Sequence, residues 1–312
     1  MKKNTVKILL AVDGSKQAED AARYVGGLLP PGRMELTLFH VAGKIPEFYW
    51  DMERFPGHND RISAYHAWAV QHREEASSFM ERARAAAVSR GIPENMVSVK
   101  IEERKVGIAR DIAFESQGGY DAVVVGRTGT SRIKDLLLGS VANKLLGRLA
   151  SVPLWLVGGA PANRKVIMAV DNSENAMNAV EYAGAVLAGA NAQVMLLHVR
   201  RNPMIFHTKE EEDYAAVYDR EIERIKGEMD SVIEEATRRL LKAGMTRESI
   251  TGRVRADVES RGGAIFEEAV RGGFDTIVVG RRGLSRVEEF FMGRVSHKVI
   301  QLAREKAVWV VG

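Results

Sequence analysis

One stretch of the sequence constrains the fold more than any other, because it combines a buried strand, a glycine loop and a helix start. The β-branched run 123–125 is typical of a strand buried on both faces. Gly126 and Gly129 break that run, and after nine more residues the pair Gly139-Ser140 precedes apolar residues at helical spacing. The stretch therefore predicts a strand, a loop of small and basic residues, and a helix N-terminus.

This order suits the binding of an anion. Backbone N–H groups left bare by glycine and the unpaired N–H groups of a helix's first turn can converge on one phosphate. We expect Gly126 and Gly129 to take positive φ and to let the ligand approach the main chain, while Ser140 offers a hydroxyl. Alternatively, Gly126 ends a strand, Gly129 makes a turn and Ser140 caps its own helix.

The same spacing returns further down the chain. Gly280, Gly283 and Gly293 each lie 154 residues after their counterparts in the first stretch. The one difference is that Arg294 stands in the place of Ser140. A second strand, glycine loop and helix start are therefore predicted.

Strands and helices outside this stretch also repeat, so the chain contains a duplication. The strand residues 38–41, for example, return as 196–199. A length of 312 residues suits two domains. We predict one domain at 1–158 and another at 164–312, joined by a linker at 159–163.

The glycine spacing, with Ser or Thr after the last glycine, resembles the nucleotide-binding signature of the universal stress protein family. The first half matches this signature in full, and Arg294 departs from it in the second. The resemblance covers essentially the whole chain twice, so the sequence is similar to a tandem member of the family. Members that carry the signature bind ATP, so the resemblance implies ATP with a divalent metal such as Mg²⁺ on its phosphates.

Strands alternate with helices in both halves, which predicts an α/β protein with parallel sheets and right-handed crossovers. The resemblance implies two repeated doubly wound, Rossmann-like domains, each with a five-stranded parallel sheet of order 3-2-1-4-5, paired about a pseudo-twofold axis. Trp155 and Trp309 stand in the middle of the two fifth strands, each of which would otherwise be an open apolar edge. We expect the halves to pair there as an intramolecular pseudo-dimer, and further homodimerisation stays open.

In open parallel sheets, ligands lie beyond the carboxyl ends of the strands, where the winding reverses. The resemblance places this reversal between the strand that precedes Asp13 and the strand that ends at Gly126. It also implies that Asp13 lies beside the nucleotide and that the backbone of Val41 lines the adenine pocket. Asp13 could instead only cap the next helix, a role that Ser15 could fill equally well. The expected site of the first half comprises Ala11, Val12, Asp13, Val41, Gly126, Arg127, Gly129, Gly139, Ser140 and Val141. A weaker site in the second half comprises Asp171, Val199, Gly280, Arg281, Gly283, Gly293 and Ser296.

The second site is predicted to be the weaker one because of Arg294. This side chain could pair with a phosphate, or it could fill the pocket and satisfy Asp171, and we predict a plugged or weakened site. Ser296 could supply the missing hydroxyl only if the helix start shifts.

Two matching histidines and the loop arginines also need an interpretation. His40 and His198 lie near the ends of the second strands, and no serine, carboxylate or further histidine is linked to them by spacing. We interpret both as core histidines with satisfied hydrogen bonds, not as catalytic or metal-binding groups. Arg127 and Arg281 put positive charge at the proposed phosphate end.

Composition narrows the classes of function. The net charge is +4 and acidic residues are interleaved with basic ones, so we expect a solvated surface and no nucleic-acid partner. No stretch approaches membrane-spanning length, and we expect no membrane partner. The chain has no cysteine, so disulfides and thiolate metal sites are excluded, and a reducing cytoplasm fits.

We therefore expect a cytoplasmic stress-response protein that binds adenine nucleotide, mainly in its first half. No residue is an evident general base aimed at a γ-phosphate, so little or no turnover is expected. Two alternatives stay open: a ligand-free interaction scaffold, and an ATP-hydrolysing or adenylating enzyme. An adenylating enzyme would want a Ser-Gly-Gly-x-Asp loop directly after strand 1, where this chain has Asp13-Gly14-Ser15.

Overall fold

The structure of the chain is a computed structural model that describes residues 5–43, 59–129, 138–200, 230–256, 258–281 and 292–312. The chain folds into two compact units, Met1–Arg148 and Leu149–Gly312. Among the described residues, no helix is both long enough and apolar enough to span a bilayer.

The first unit contains four parallel strands in the order β3-β2-β1-β4. Its strands are β1 (Val6–Ala11), β2 (Met34–Ala42), β3 (Val97–Glu103) and β4 (Ala122–Gly126). Its helices are α1 (Lys16–Leu28), α2 (Asn59–Val88), α3 (Ile108–Glu115) and α4 (Ser140–Arg148). Short 3₁₀ turns at Glu94–Met96 and Ser116–Gly118 lead into β3 and out of α3.

The second unit repeats this arrangement and adds two strands. Its strands are β5 (Leu154–Val157), β6 (Lys165–Val170), β7 (Gln193–Val199), β8 (Ile250–Arg255), β9 (Thr276–Gly280) and β10 (Ala307–Val311). Its helices are α5 (Glu174–Leu187), the described part of α6 (230–242), α7 (Arg261–Arg271) and α8 (Arg294–Leu302). A 3₁₀ turn at Arg247–Ser249 precedes β8. The order β5-β10-β9-β6-β7-β8 is parallel except that β5 runs antiparallel to β10.

The predicted parallel α/β fold is confirmed. In the second unit, β8-β7-β6-β9-β10 is the expected order 3-2-1-4-5, and the first unit has the order 3-2-1-4. The fifth strand of the first repeat, β5, belongs to the second compact unit because it pairs with β10 there. The compact units therefore divide after Arg148, and the domain limits of 1–158 and 164–312 stay a prediction.

The central strands hold the apolar core because helices cover both faces of each sheet. Leu9, Val123 and Val124 in the first unit are completely buried, as is Ile277 in the second. Runs of β-branched and aliphatic residues without a polar alternation are what such doubly covered strands require. The β-branched run from which the sequence analysis began is therefore core, and it fixes the position of the loop that follows it.

Trp155 and Trp309 are the largest fully buried side chains. They stand opposite each other in the antiparallel pair β5 and β10, and their rings stack with centroids 4.0 Å apart and planes 2° from parallel. The predicted burial of both tryptophans in paired fifth strands is confirmed.

Candidate functional site

An aspartate follows the first strand of the first unit and lies two residues before a helix-capping serine. The Oδ1 atom of Asp13 accepts hydrogen bonds from Ser15 N at 3.0 Å and Ser15 Oγ at 2.6 Å. Ser15 Oγ in turn accepts from Ala18 N at 3.2 Å and so caps α1. The helix cap is therefore Ser15, and Asp13 is an exposed carboxylate held beside it.

The second unit builds the same turn from the corresponding residues. Asp171 Oδ1 accepts from Ser173 N at 3.0 Å and from the Ser173 hydroxyl. Ser173 caps α5 through Ala176 N at 3.2 Å. Each repeat thus places one carboxylate at the carboxyl end of its first strand, next to a helix N-terminus.

Gly126 and Gly280 occupy the ends of β4 and β9, where a helix packs against the strand. A Cβ at Gly126 would lie 3.1 Å from the carbonyl carbon of Gln17, and one at Gly280 would lie 2.9 Å from the carbonyl oxygen of Asn175. Neither glycine has positive φ, so that expectation is wrong. The close approach of helix backbone to strand backbone excludes a side chain at both positions.

Gly129 also lacks positive φ, and its role is again a close approach. A Cβ there would lie 2.4 Å from Oδ2 of Asp13, so the glycine lets the loop pass directly over this carboxylate. Gly139 N donates to the carbonyl oxygen of Arg127 at 2.8 Å, which joins the end of the loop to its start. Residues 130–137 of this loop lie outside the described residues.

The other residues expected at the first site lie around the same sheet edge. Ala11 is the last residue of β1 and Val12 follows it, and Val41 is the penultimate residue of the neighbouring strand β2. Ser140 and Val141 are the first two residues of α4, as predicted. Arg127, by contrast, is only 4% exposed, so its side chain is part of the interior.

In the second unit, the sheet edge forms a cavity of about 340 Å³, within the size range of ligand pockets. Five of the residues predicted for the second site line it together: Asp171, Val199, Gly280, Gly293 and Ser296. The prediction for Gly283 lies outside the described residues.

Two residues predicted for the second site, Arg281 and Ser296, form hydrogen bonds to backbone carbonyl oxygens of the protein. The guanidinium of Arg281 donates to the carbonyl oxygen of Leu149, and Arg281 is not among the residues that line the cavity. Ser296 is buried and donates its hydroxyl to Gly280 O at 2.7 Å, so it reinforces the strand end. Because α8 begins at Arg294, the shift that would have made Ser296 a substitute for Ser140 does not occur.

Arg294 lines the cavity but does not plug it. The side chain is exposed at the first position of α8, and it forms no ion pair with Asp171, whose described partner is Ser173. The predicted contact of Arg294 with Asp171 is therefore not made, and the weakening of the second site stays a prediction.

Helix α7 contributes residues to the cavity that were not predicted from the sequence. Ser260, Arg261, Gly262 and Ile265 line it, and Ser260 caps the helix. A Cβ at Gly262 would lie 2.8 Å from Cβ of Lys298, so α7 and α8 approach closely at their N-terminal ends. The available signal was the position of α7 after β8, because all parallel strands end at the same edge of the sheet.

The matching histidines have a structural role, as predicted. His40 Nδ1 lies 2.7 Å from Val12 O, and His198 Nδ1 lies 2.8 Å from Val170 O. The ring of His40 also meets Phe79 edge to face at 4.8 Å. Among the described residues, no cluster of three His, Cys, Asp or Glu side chains could hold a metal ion.

These features define a class: a duplicated, doubly wound α/β protein whose glycines, helix N-termini and carboxylates gather at the carboxyl edges of its sheets. The chain belongs to the universal stress protein family, whose sequence model matches residues 5–158 and again 162–312.

Individual relatives agree with this assignment. Universal stress protein YxiE from Bacillus subtilis (strain 168) is 29% identical over 143 residues, which are 45% of this chain and 93% of that protein. A universal stress protein from Archaeoglobus fulgidus DSM 4304 is 21% identical with a TM-score of 0.55, covering 99% of this chain and 98% of the other. A putative universal stress protein from Pseudomonas aeruginosa UCBPP-PA14 is 16% identical with a TM-score of 0.54, covering 99% and 93%. The two structures share the fold of this chain.

Proposed function

We propose that this protein binds adenine nucleotide at the carboxyl edge of its parallel sheets, mainly in the first repeat, and that it turns the nucleotide over slowly or not at all. The observation that carries the proposal is the geometry at the two described ends of the glycine loop between β4 and α4. Gly129 lies against Asp13, and Gly139, the residue before Ser140, donates its N–H to Arg127 O. The proposed ligand is ATP with Mg²⁺.

The phosphates are assigned to the start of α4. The backbone N–H groups of a helix's first turn have no partner within the helix and favour an anion. Ser140 is exposed there and can donate its hydroxyl to a phosphate oxygen. Gly139 keeps this helix end close to the loop, because a Cβ would lie 3.3 Å from Arg127 O.

The nucleoside is assigned to the ends of β1 and β2. Asp13 has one carboxylate oxygen engaged by Ser15 and the other beside Gly129, so it can accept from a ribose hydroxyl. Val41 is buried at the end of the adjacent strand, where its backbone can meet the adenine ring.

The residues of the first repeat suit a phosphate-bound Mg²⁺. In proteins this ion keeps several waters and takes phosphate oxygens as ligands, so the exposed hydroxyl of Ser140 at the phosphate end could supply one further oxygen. When bound, the metal would supply charge neutralisation for the phosphates. A low rate of turnover is proposed because the Nδ1 atom of His40, near the end of β2, is engaged by Val12 O.

We also propose a cytoplasmic location, in keeping with family membership and a cysteine-free chain that suits a reducing compartment. Fractionation of cells that express the tagged full chain tests this. Recovery of the protein outside the cytoplasmic fraction would contradict it.

The proposed function is tested on purified full-length protein. The protein is denatured, its supernatant is analysed for nucleotide, and ATP binding with Mg²⁺ is then measured by calorimetry and followed by a product assay. Ser140→Ala should weaken binding about tenfold, because a hydrogen bond to a charged phosphate is lost. Ser151→Ala, also at an exposed serine but outside the site, should leave binding unchanged. Absence of ATP binding would favour the scaffold alternative, and rapid product formation would favour the enzyme.

A further inference from the structure

Among the described residues, three cationic side chains line the cavity of the second repeat. Arg261 begins α7, Arg294 begins α8, and Lys298 lies one turn further along α8. All three are exposed, and none forms an ion pair with a carboxylate of the described chain. Their charges are therefore available to an anion that enters the cavity.

The first repeat does not have these charges at two of the three positions. Arg261 corresponds to Ile108, since each is the first residue of the helix that follows the third strand. Arg294 corresponds to Ser140, the first residue of α4. Lys298 alone has a cationic counterpart, Lys144. The second repeat thus has two additional positive charges around the equivalent site.

Helix N-termini add to this positive potential. The capped starts of α5 and α7 and the start of α8 all contribute residues to the cavity lining: Ala176, Arg261 and Arg294. Each start presents unpaired N–H groups and the positive end of a helix dipole. Gly262 allows two of these starts to approach, because its absent Cβ would lie 2.8 Å from Lys298.

This set of groups does not fit a divalent cation. Of the described residues that line the cavity, Asp171 is the one with a carboxylate, and its Oδ1 already accepts two hydrogen bonds from Ser173. Mg²⁺ requires oxygen ligands, whereas two guanidinium groups and an ammonium group repel a doubly charged cation. The first repeat has Ile108 and Ser140 in place of the arginines, so it lacks the repulsion from the two guanidinium groups.

We propose that the second repeat binds a triphosphate without a divalent metal, and that Arg261 and Arg294 provide the two charges that Mg²⁺ provides in the first repeat. Guanidinium groups suit this role because they present several N–H donors to phosphate oxygens and stay protonated. The two repeats would then differ in the form of nucleotide that they accept. The inference rests on the proposed nucleotide function, and its test separates the two.

The test measures ATP binding to the full chain by calorimetry, once with Mg²⁺ and once with excess EDTA. In EDTA we expect one ATP per chain, bound at the second repeat. R261I/R294S introduces the residues of the first repeat and should weaken this metal-free binding about 100-fold, or about tenfold for each arginine that no longer binds a phosphate. R261K/R294K should retain much of it, because the charge is kept.

Two further variants complete the design. K242S/R304S removes the same charge from exposed positions outside the cavity and should leave metal-free binding unchanged. I108R/S140R gives the first repeat both arginines and should create a second metal-free site. Thermal unfolding of every variant verifies that the fold is retained, which is expected because Arg261 and Arg294 are exposed.

Inorganic tripolyphosphate in EDTA separates this inference from the proposed function. One outcome is that tripolyphosphate binds as tightly as ATP and that R261I/R294S abolishes this binding. That outcome supports the metal-free anion site and contradicts the assignment of adenine to the second repeat. If MgATP binds the first repeat while neither ligand binds in EDTA, the proposed function stands and this inference is overturned. It is equally overturned if R261I/R294S leaves metal-free binding unchanged, or if Mg²⁺ strengthens binding at the second repeat.

Discussion

The two repeats have the same residues where backbone packs against backbone, and they have different residues where a ligand would bind. Gly126 and Gly280 both end a strand against the first turn of a helix, and a side chain at either position would enter that helix. Ser140 and Arg294, by contrast, occupy the same position at a helix start and differ by a full charge. The comparison teaches that close packing allows only glycine at the strand ends, whereas the exposed helix starts can carry residues of different charge and so bind different ligands.

A similar contrast holds at the outer edges of the sheets. Lys100 on β3 binds Glu115 on α3 at 2.7 Å, and Arg253 on β8 binds Glu268 on α7. Glu268 is 1% exposed and also binds Arg271. The repeats therefore share a strand-to-helix ion pair at this edge, although its cation changes from lysine to arginine and its carboxylate becomes more deeply buried.

The largest expected effect comes from the residues that the repeats share most closely, the stacked tryptophans. Trp155→Ala and Trp309→Ala should each lower the free energy of unfolding by about 4 kcal/mol, because each leaves a large cavity beside the remaining ring. Chemical denaturation of both variants measures this. Trp155→Phe is the milder control and should cost less. A loss below about 1 kcal/mol in either alanine variant would contradict the packing described for β5 and β10.

The paired glycines give the next largest effect. Gly126→Ala and Gly280→Ala should each destabilise the protein by about 2 kcal/mol, because the new Cβ meets helix backbone at 2.9–3.2 Å. Thermal and chemical unfolding should show losses of similar size in the two variants. Gly147→Ala is the matched control, since nothing lies within 4 Å of the Cβ it would introduce. If one glycine tolerates alanine as well as Gly147 does, the repeats are not equivalent at this point.

The loop glycine of the first repeat gives a smaller effect, on affinity. In Gly129→Ala the new Cβ would lie 2.4 Å from Oδ2 of Asp13, so the carboxylate or the loop must move. We expect MgATP affinity at the first repeat to fall about tenfold, because the two groups assigned to the ribose and phosphates are displaced relative to each other. Calorimetry with Gly147→Ala as the control measures this. If the folded Gly129→Ala protein binds MgATP with unchanged affinity, the loop is not part of the nucleotide site.

Much of the fold could be predicted because apolar runs and their glycine or proline boundaries are local signals. The strand predicted from the β-branched run 123–125 lies at Ala122–Gly126. The helix start predicted at Gly139-Ser140 lies at Ser140, the first residue of α4. The parallel order followed from the alternation of strands and helices together with the family resemblance.

The candidate site was less predictable because its determinants are contacts between distant residues. The positions of Gly126 and Gly129 were identified, but the reason was wrong: a sequence pattern cannot distinguish a glycine needed for positive φ from one needed for close approach. The lining from Arg261 and Gly262 was missed because α7 lies outside the repeated glycine motif. The outward position of Arg294 depends on a rotamer, which no spacing determines.

The smallest expected effect is electrostatic and sharpens the contrast between the outer edges. Glu102 on β3 is partly exposed and binds Lys105 Nζ at 2.8 Å and Lys100 Nζ at 3.0 Å. The hydrogen bonds from Lys105 and then Lys100 hold the pKa of this carboxyl below its usual value. In the second repeat the corresponding residue is Arg255, so this carboxylate belongs to one edge alone.

The sign of the pH dependence follows from the direction of that shift. A carboxyl whose pKa is lower in the folded chain contributes stability that is complete above its unfolded pKa and is lost as the pH falls through its folded pKa. The pH window in which this stability is lost therefore lies below the ordinary glutamate pKa of about 4.3.

Glu102→Gln should slightly reduce the free energy of unfolding at neutral pH and should reduce the stability that is lost between neutral pH and strong acid. Because water reaches the Glu102 carboxylate, the change should be small and should fade in high salt. Unfolding midpoints measured across this pH range, with the exposed Glu103→Gln as the matched control, test it. If Glu103→Gln flattens the acid limb as much as Glu102→Gln does, the effect comes from net charge and not from the Lys100–Glu102–Lys105 cluster.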